Sequence, residues 1–73
     1  MPEMNFVDSS NVEQIGYDDT LPVSELHVKF KNGETVYVYL GVPSSLFEEL
    51  KHAVSVGSFL NREIKNIYPF EKR

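Results

Sequence analysis

Asn32-Gly33 constrains this chain more than any other feature. It sits between the alternating run Leu26-His27-Val28-Lys29-Phe30 and the β-branched and aromatic run from Thr35 to Leu40. Apolar residues at every second position mark a half-buried strand, and the second run is made of residue types that suit a pleated surface. Asn-Gly between two such runs signals a type I′ hairpin, because that turn needs positive φ at both central residues. With Asn32 and Gly33 as the loop, Lys31 pairs with Glu34, Phe30 opposes Thr35, Val28 opposes Tyr37 and Leu26 opposes Tyr39. Leu26, Val28, Phe30, Tyr37 and Tyr39 then share the core face, and His27, Lys29, Val36, Val38 and Leu40 share the other. A three-residue loop with a glycine bulge would slip the register by one and turn both tyrosines outward beside His27 and Lys29. The two-residue turn is the expected one.

Upstream, Val12 to Tyr17 reads as a first strand, with Ile15 and Tyr17 on one side and Gly16 on the other. Asp8, Ser9, Ser10 and Asn11 cluster as turn formers, so residues 1–10 are expected to be an N-terminal approach segment. Asp18 to Ser24 is a connection, since Pro22 cannot donate to a ladder. Downstream, Pro43 suits a first helical position, and Ser45 with Glu48 has capping-box spacing. Leu46, Phe47, Leu50, Ala53 and Val54 recur at helical spacing as one apolar stripe, leaving Glu48, Glu49, Lys51 and His52 wet. Gly57 breaks this helix, and Ser58 is placed to cap a second helix from Phe59 to about Asn66. The second stripe is Phe59 or Leu60, Ile64, Ile67 and Tyr68, and Pro69 ends it. The expected fold class is α+β: a three-stranded antiparallel β-meander followed by two short α-helices packed on one face. The domain spans residues 11–70, with a C-terminal tail over 71–73.

A chain of 73 residues makes one small core, with about 60% of the unfolded chain's surface buried on folding. Four tyrosines, five phenylalanines and an apolar fraction of 41% argue against intrinsic disorder. The absence of cysteine excludes disulfides and thiolate metal sites, and it fits a reducing cytoplasm. Residues 1–6 have no basic and apolar signal pattern, and no apolar run approaches a membrane span. A soluble cytoplasmic protein with no membrane partner is therefore expected. The net charge of −4 is unevenly spread. Residues 1–49 carry Lys29 and Lys31 against nine acids, whereas residues 50–73 carry Lys51, Arg62, Lys65, Lys72 and Arg73 against Glu63 and Glu71. Such asymmetry gives one mildly basic end, although five cations also suit an ordinary solvated surface.

Further along, Val42-Pro43, Phe47, Leu50, Ala53, Ser55, Gly57, Phe59, Asn61-Arg62-Glu63-Ile64 and Tyr68-Pro69-Phe70-Glu71 follow in order. Together with Ser9-Ser10, Ile15-Gly16-Tyr17-Asp18, the hairpin and the Tyr37-Val38-Tyr39 triplet, this series resembles the KTSC domain over some 60 of the 73 residues. That family is named for its place at the C-terminus of some lysyl-tRNA synthetases and also occurs as small stand-alone bacterial or phage proteins. The resemblance implies a small accessory domain, with RNA or tRNA as its partner by the synthetase context. Val38 departs from the pattern by being apolar where a polar residue would stand between the tyrosines, which points to an apolar outer face.

Nothing in the residues points to an enzyme. His27, mid-strand, and His52, on a helix's polar side, have no carboxylate at triad spacing, and both are expected to be exposed surface residues. Asp18-Asp19 lacks the further oxygen ligands of a calcium loop, so turn chemistry explains it. Gly57-Ser58 opens a helix but lacks the lysine of a phosphate loop. No catalytic residue, metal ligand or small-molecule cofactor is expected. Two binding readings remain. In the first, Tyr37 and Tyr39 stack bases while Asn61, Arg62, Lys65 and Lys72 with Arg73 contact phosphates; core packing of the two phenols is the competing role. In the second, Val36, Val38 and Leu40 form an exposed apolar strip for a protein partner or a homodimer.

Overall fold

The computed structural model describes residues 2–73. Among them the chain runs β1 (Asn5–Phe6), β2 (Val12–Asp18), β3 (Glu25–Phe30), β4 (Val36–Leu40), α1 (Ser44–Lys51), α2 (Val56–Glu63) and β5 (Phe70–Lys72). The strands form one antiparallel sheet in sequence order, with both helices inserted between the last two strands. The expected α+β fold, a meander with two helices on one face, is the fold present, with two more strands at its edges. The approach segment supplies β1, and the tail supplies β5. Strands of two and three residues carry too little alternation to be read before their partners are known.

The hairpin register is the expected one: Leu26 faces Tyr39, Val28 faces Tyr37 and Lys29 faces Val36. The turn that joins the strands is different. Neither Asn32 nor Gly33 has positive φ, so the turn is not type I′; the one left-handed position among the described residues is Gly41, at +81°. Pairing stops at Lys29 and Val36, because the Lys31 N–H donates to the Asn11 carbonyl on the β2 side at 2.9 Å rather than across the hairpin. Residues 31–35 then form a wider loop that needs no strained backbone. Register survives without the tight turn because burial enforces it: Leu26 and Val28 are fully buried and Tyr39 is 2% exposed, and a one-residue slip would expel all three.

A bulge at Glu13, where the β2 pairing shifts between Val12 and Gln14, lets Val12 join Ile15 on the inner face. The core combines these side chains with Leu26, Val28 and Tyr39 from the sheet, Val42 from the connection, and Phe47, Leu50, Val56, Leu60 and Ile64 from the helical segments. Each fully buried aliphatic contributes about 1.5–3 kcal/mol. Tyr17 stacks on Phe47 at 4.9 Å and donates to the Val42 carbonyl at 2.6 Å, which ties the end of β2 to the entry of α1. Gly41 makes the reversal into that entry, its N–H donating to the Ser24 carbonyl at 2.8 Å.

Several helix details differ from expectation. Pro43 is the N-cap of α1 rather than its first residue, and no side chain caps that helix, so Ser45 and Glu48 form no capping box. The second helix starts earlier than expected: Ser55 is its N-cap and accepts from the Ser58 N–H at 3.3 Å. Gly57 therefore lies inside the first turn instead of breaking a helix. Its lack of a side chain answers to packing, since a Cβ there would collide with the Asn11 side chain. Val54 and Ile67 lie outside the helices and are exposed, because each chain segment leaves its helix before their turn of the stripe.

The outer face of the sheet is also covered. Gly16, His27, Val38 and Glu71 form one cross-strand row, and the N-terminal segment lies over its first member. A Cβ on Gly16 would stand 2.6 Å from the Met4 Sδ and 2.7 Å from the Glu3 carbonyl. Gly16→Ala is therefore expected to lower stability by about 1–3 kcal/mol through overpacking. In a variant lacking residues 2–4, the same substitution should cost far less. Thermal denaturation of the four proteins measures the coupling, and equal costs in both backgrounds would remove the proposed contact.

Candidate functional site

On the inner side of β4 and β5, beyond the core position of Tyr39, the aromatic side chains are only partly covered. There, Phe30 and Tyr37 meet edge to face with ring centroids 5.4 Å apart, and Phe70 lies 5.6 Å from both Tyr37 and Tyr39. Phe70 is 48% exposed, Phe30 and Tyr37 are half-buried, and Tyr39 is closed off. The groove they line, with Lys65 and Asn66 on its rim, has a volume of about 190 Å³. Lys72 reaches over the Tyr37 ring at 5.7 Å. The alternation after Pro69 produces this arrangement: Phe70 and Lys72 sit on the inner side across from Tyr39 and Tyr37, while Glu71 faces outward opposite Val38.

The cations divide by face and by partner. Lys29 pairs with Glu13 at 2.9 Å, Lys51 with Glu48 at 2.9 Å, Arg62 with Glu63 at 3.1 Å, and Arg73 with both Glu25 and Glu71. Among the described residues Lys31, Lys65 and Lys72 make no ion pair; Lys65 and Lys72 stand at the aromatic groove, and Lys31 lies exposed in the loop after β3. Beyond Lys65 the groove continues into a polar cleft of about 400 Å³ between the segment before β2 and helix α2, with Phe30 and Lys65 belonging to both.

The residues expected to contact RNA are therefore split. Tyr37, Lys65 and Asn61 stand along the groove and its polar extension. Tyr39 is core, as the hairpin register requires, and burial, with the neighbouring Tyr37 phenol, pushes its own phenol above the ordinary range. Arg62 lies over the Phe59 ring at 5.7 Å with Glu63 bound to it, outside the groove lining. Arg73 belongs to the opposite face. Lys72, expected among the binding cations, does stand at the groove; Phe30 and Phe70 complete the aromatic surface, and the three-residue alternation Phe70-Glu71-Lys72 is their one sequence signal.

On the outer face Arg73 grips Glu25 through two parallel contacts, Nη1 to Oε1 at 3.2 Å and Nη2 to Oε2 at 3.1 Å, and bonds Glu71 at 2.7 Å. His27 joins through Nε2 at 2.9 Å from Glu25. It is 3% exposed rather than a surface residue, and its Nδ1 has no partner. The strip expected to bind protein is not an exposed patch: Val38 is fully buried and Val36 and Leu40 are half-buried. Leu21 shares an outer cleft with His27 and Val36, and the N-terminal segment lies against Gly16 in the cross-strand row that contains Val38. His52 is exposed as expected, and Asp18 accepts from Thr20 in a local turn. No group of His, Asp or Glu side chains among the described residues is arranged to hold a metal ion, and no helix among them is long and apolar enough to cross a membrane.

Residues 8–68 match the family model of the KTSC domain. A protein of Tsukamurella paurometabola is 39% identical over 62 residues, spanning 85% of this chain and 88% of its own length. The crystal structure of a KTSC domain protein from Yersinia pestis superposes with a TM-score of 0.89 at 32% identity, covering 100% of this chain and 99% of that one.

The Glu25 contacts make a pH prediction. Hydrogen bonds from His27 and then Arg73 hold the Glu25 carboxyl below its ordinary value of 4.5. A carboxylate with a lowered folded-state pKa adds stability that is complete above the unfolded value and is lost as pH falls through the folded one. Glu13, held down by Lys29, and Asp18, held down by Thr20, act with the same sign. Wild type should therefore lose thermal stability steadily below pH 4.5, and Glu25→Gln should show a shallower decline. Parallel profiles would separate Glu25 from the acid limb.

Proposed function

The chain belongs to the KTSC domain family, and on that premise we propose that it is a non-catalytic RNA-binding accessory module acting in the cytoplasm. The observation that carries the reading is the groove of Phe30, Tyr37 and Phe70, flanked by Lys65 and Lys72 without acidic partners. Single-stranded nucleic acid is held by such a combination: bases stack on aromatic faces and phosphates meet nearby cations. The half-exposed Phe70 is the natural platform. Tyr37 lies behind it, fixed by Phe30 and by the Lys72 ammonium. The overall acidic balance is no obstacle to local binding, because the acids that would oppose a phosphate are turned away. Glu71 points to the outer face, and Glu25 is closed into the Arg73 network. Self-association through the third hairpin strand is not favoured, since Val38 offers no exposed surface.

Fluorescence anisotropy with a labelled mixed-sequence oligoribonucleotide tests the reading. Stacking is worth about 1–3 kcal/mol per base, so Phe70→Ala is expected to weaken binding roughly tenfold. Each lysine removed should flatten the log K against log salt plot by about 0.7. Lys65→Glu with Lys72→Glu should abolish binding while the circular dichroism spectrum stays unchanged. Affinity insensitive to salt and to both lysines would refute an RNA role for this groove.

A further inference from the structure

We infer that the polar cleft beside the groove is a base-selective pocket for one unstacked nucleotide of a bound RNA strand; this rests on the RNA reading above. Three observations lead to it. First, the cleft is continuous with the aromatic groove, since Phe30 and Lys65 line both. A strand whose base lies against Phe70 and whose phosphate meets Lys65 delivers its next nucleotide there. Second, the size is suitable. A cleft of about 400 Å³ lies near the lower end of the roughly 300–1,000 Å³ typical of small-molecule pockets, room for a nucleotide rather than a folded helix of RNA.

Third, the lining reads hydrogen-bond patterns rather than charge. Ser10, Asn11, Ser58 and Asn61 present hydroxyls and amides, and Lys65 is the one charged side chain in the lining. Of these, Asn11 is held in place. Its Oδ1 accepts from the Ser9 hydroxyl at 3.2 Å, and its side chain occupies the space that the missing Cβ of Gly57 leaves on α2. Asn61, about one turn beyond Gly57 on the same helix, is exposed, with no side-chain hydrogen bond among the described residues. Two amides, one pinned and one free, facing a floor of Phe30 and Leu60, match the edge and the face of a base at once. An amide offers a donor and an acceptor side by side, the pairing that distinguishes one base edge from another. A bare phosphate would need only the lysine.

The test compares four labelled oligoribonucleotides, of A, C, G or U only, against the full chain and the variants Asn61→Ala and Phe70→Ala. The pocket predicts that one base binds about tenfold more tightly than the weakest. It further predicts that Asn61→Ala removes the preference by weakening the favoured base most, and that Phe70→Ala weakens all four. Equal binding of the four, or a preference that survives Asn61→Ala, would overturn the pocket. If Phe70→Ala still weakened binding in that case, the RNA role of the groove would stand. No binding of any of the four would overturn both.

Discussion

The pairing of β3 with β4 is the constraint on which the other surfaces depend. Because side chains alternate along each strand, one choice of register assigns Leu26, Val28 and Tyr39 to the core and His27 and Val38 to the opposite side. The same choice, carried across to β5, sets Phe70 and Lys72 beside Tyr37 and sends Glu71 and Arg73 to the far side. An aromatic groove with two unpaired lysines and an ion-paired outer face are two outcomes of a single alignment. What fixes that alignment is the cost of exposing three buried side chains, and the loop between the strands merely follows.

Both faces of so small a sheet are occupied, by different means. The inner face contributes Val12, Ile15, Leu26, Val28 and Tyr39 to the core shared with the helices. On the outer face, residues 2–4 lie against Gly16, and Leu21 of the connection after β2 lines a cleft with His27 and Val36. His27 is the anomaly of this layer, a buried imidazole satisfied at Nε2 and orphaned at Nδ1. A buried polar atom without a partner is uncommon, and its neighbours Glu25, Arg73 and Glu71 show that the layer is held by charge pairing as well as by apolar contact. Exposed ion pairs contribute little by themselves; a bidentate guanidinium on a half-buried carboxylate is more ordered than most.

Much of the fold could be read from residue order alone. The periods of Leu26-Val28-Phe30 and of Leu46, Phe47 and Leu50 gave the right elements, and the face assignment of both tyrosines followed from Asn32-Gly33 although the turn itself takes another form. Edges were illegible because Asn5–Phe6 and Phe70–Lys72 have meaning only beside a partner strand. The burial of Val38 and His27 was illegible for a related reason: nothing local to β3 or β4 records what the rest of the chain places around their outer side. The candidate groove was half legible. Tyr37, Asn61, Lys65 and Lys72 could be named, but charge counting could not separate free cations from those, such as Arg62 and Arg73, that an acid has already claimed.

The position of β5 in the chain has a further consequence. Val36, Val38 and Leu40 receive their second neighbour from a strand made only after α1 and α2. During synthesis, which proceeds at about 5–20 residues per second, the β-branched edge of β4 stays unpaired until both helices have emerged. An open edge of that kind is a template for other chains. The interval between making β4 and sealing it is thus a window of aggregation hazard, and a ribosome that stalls between Ser44 and Pro69 would prolong it.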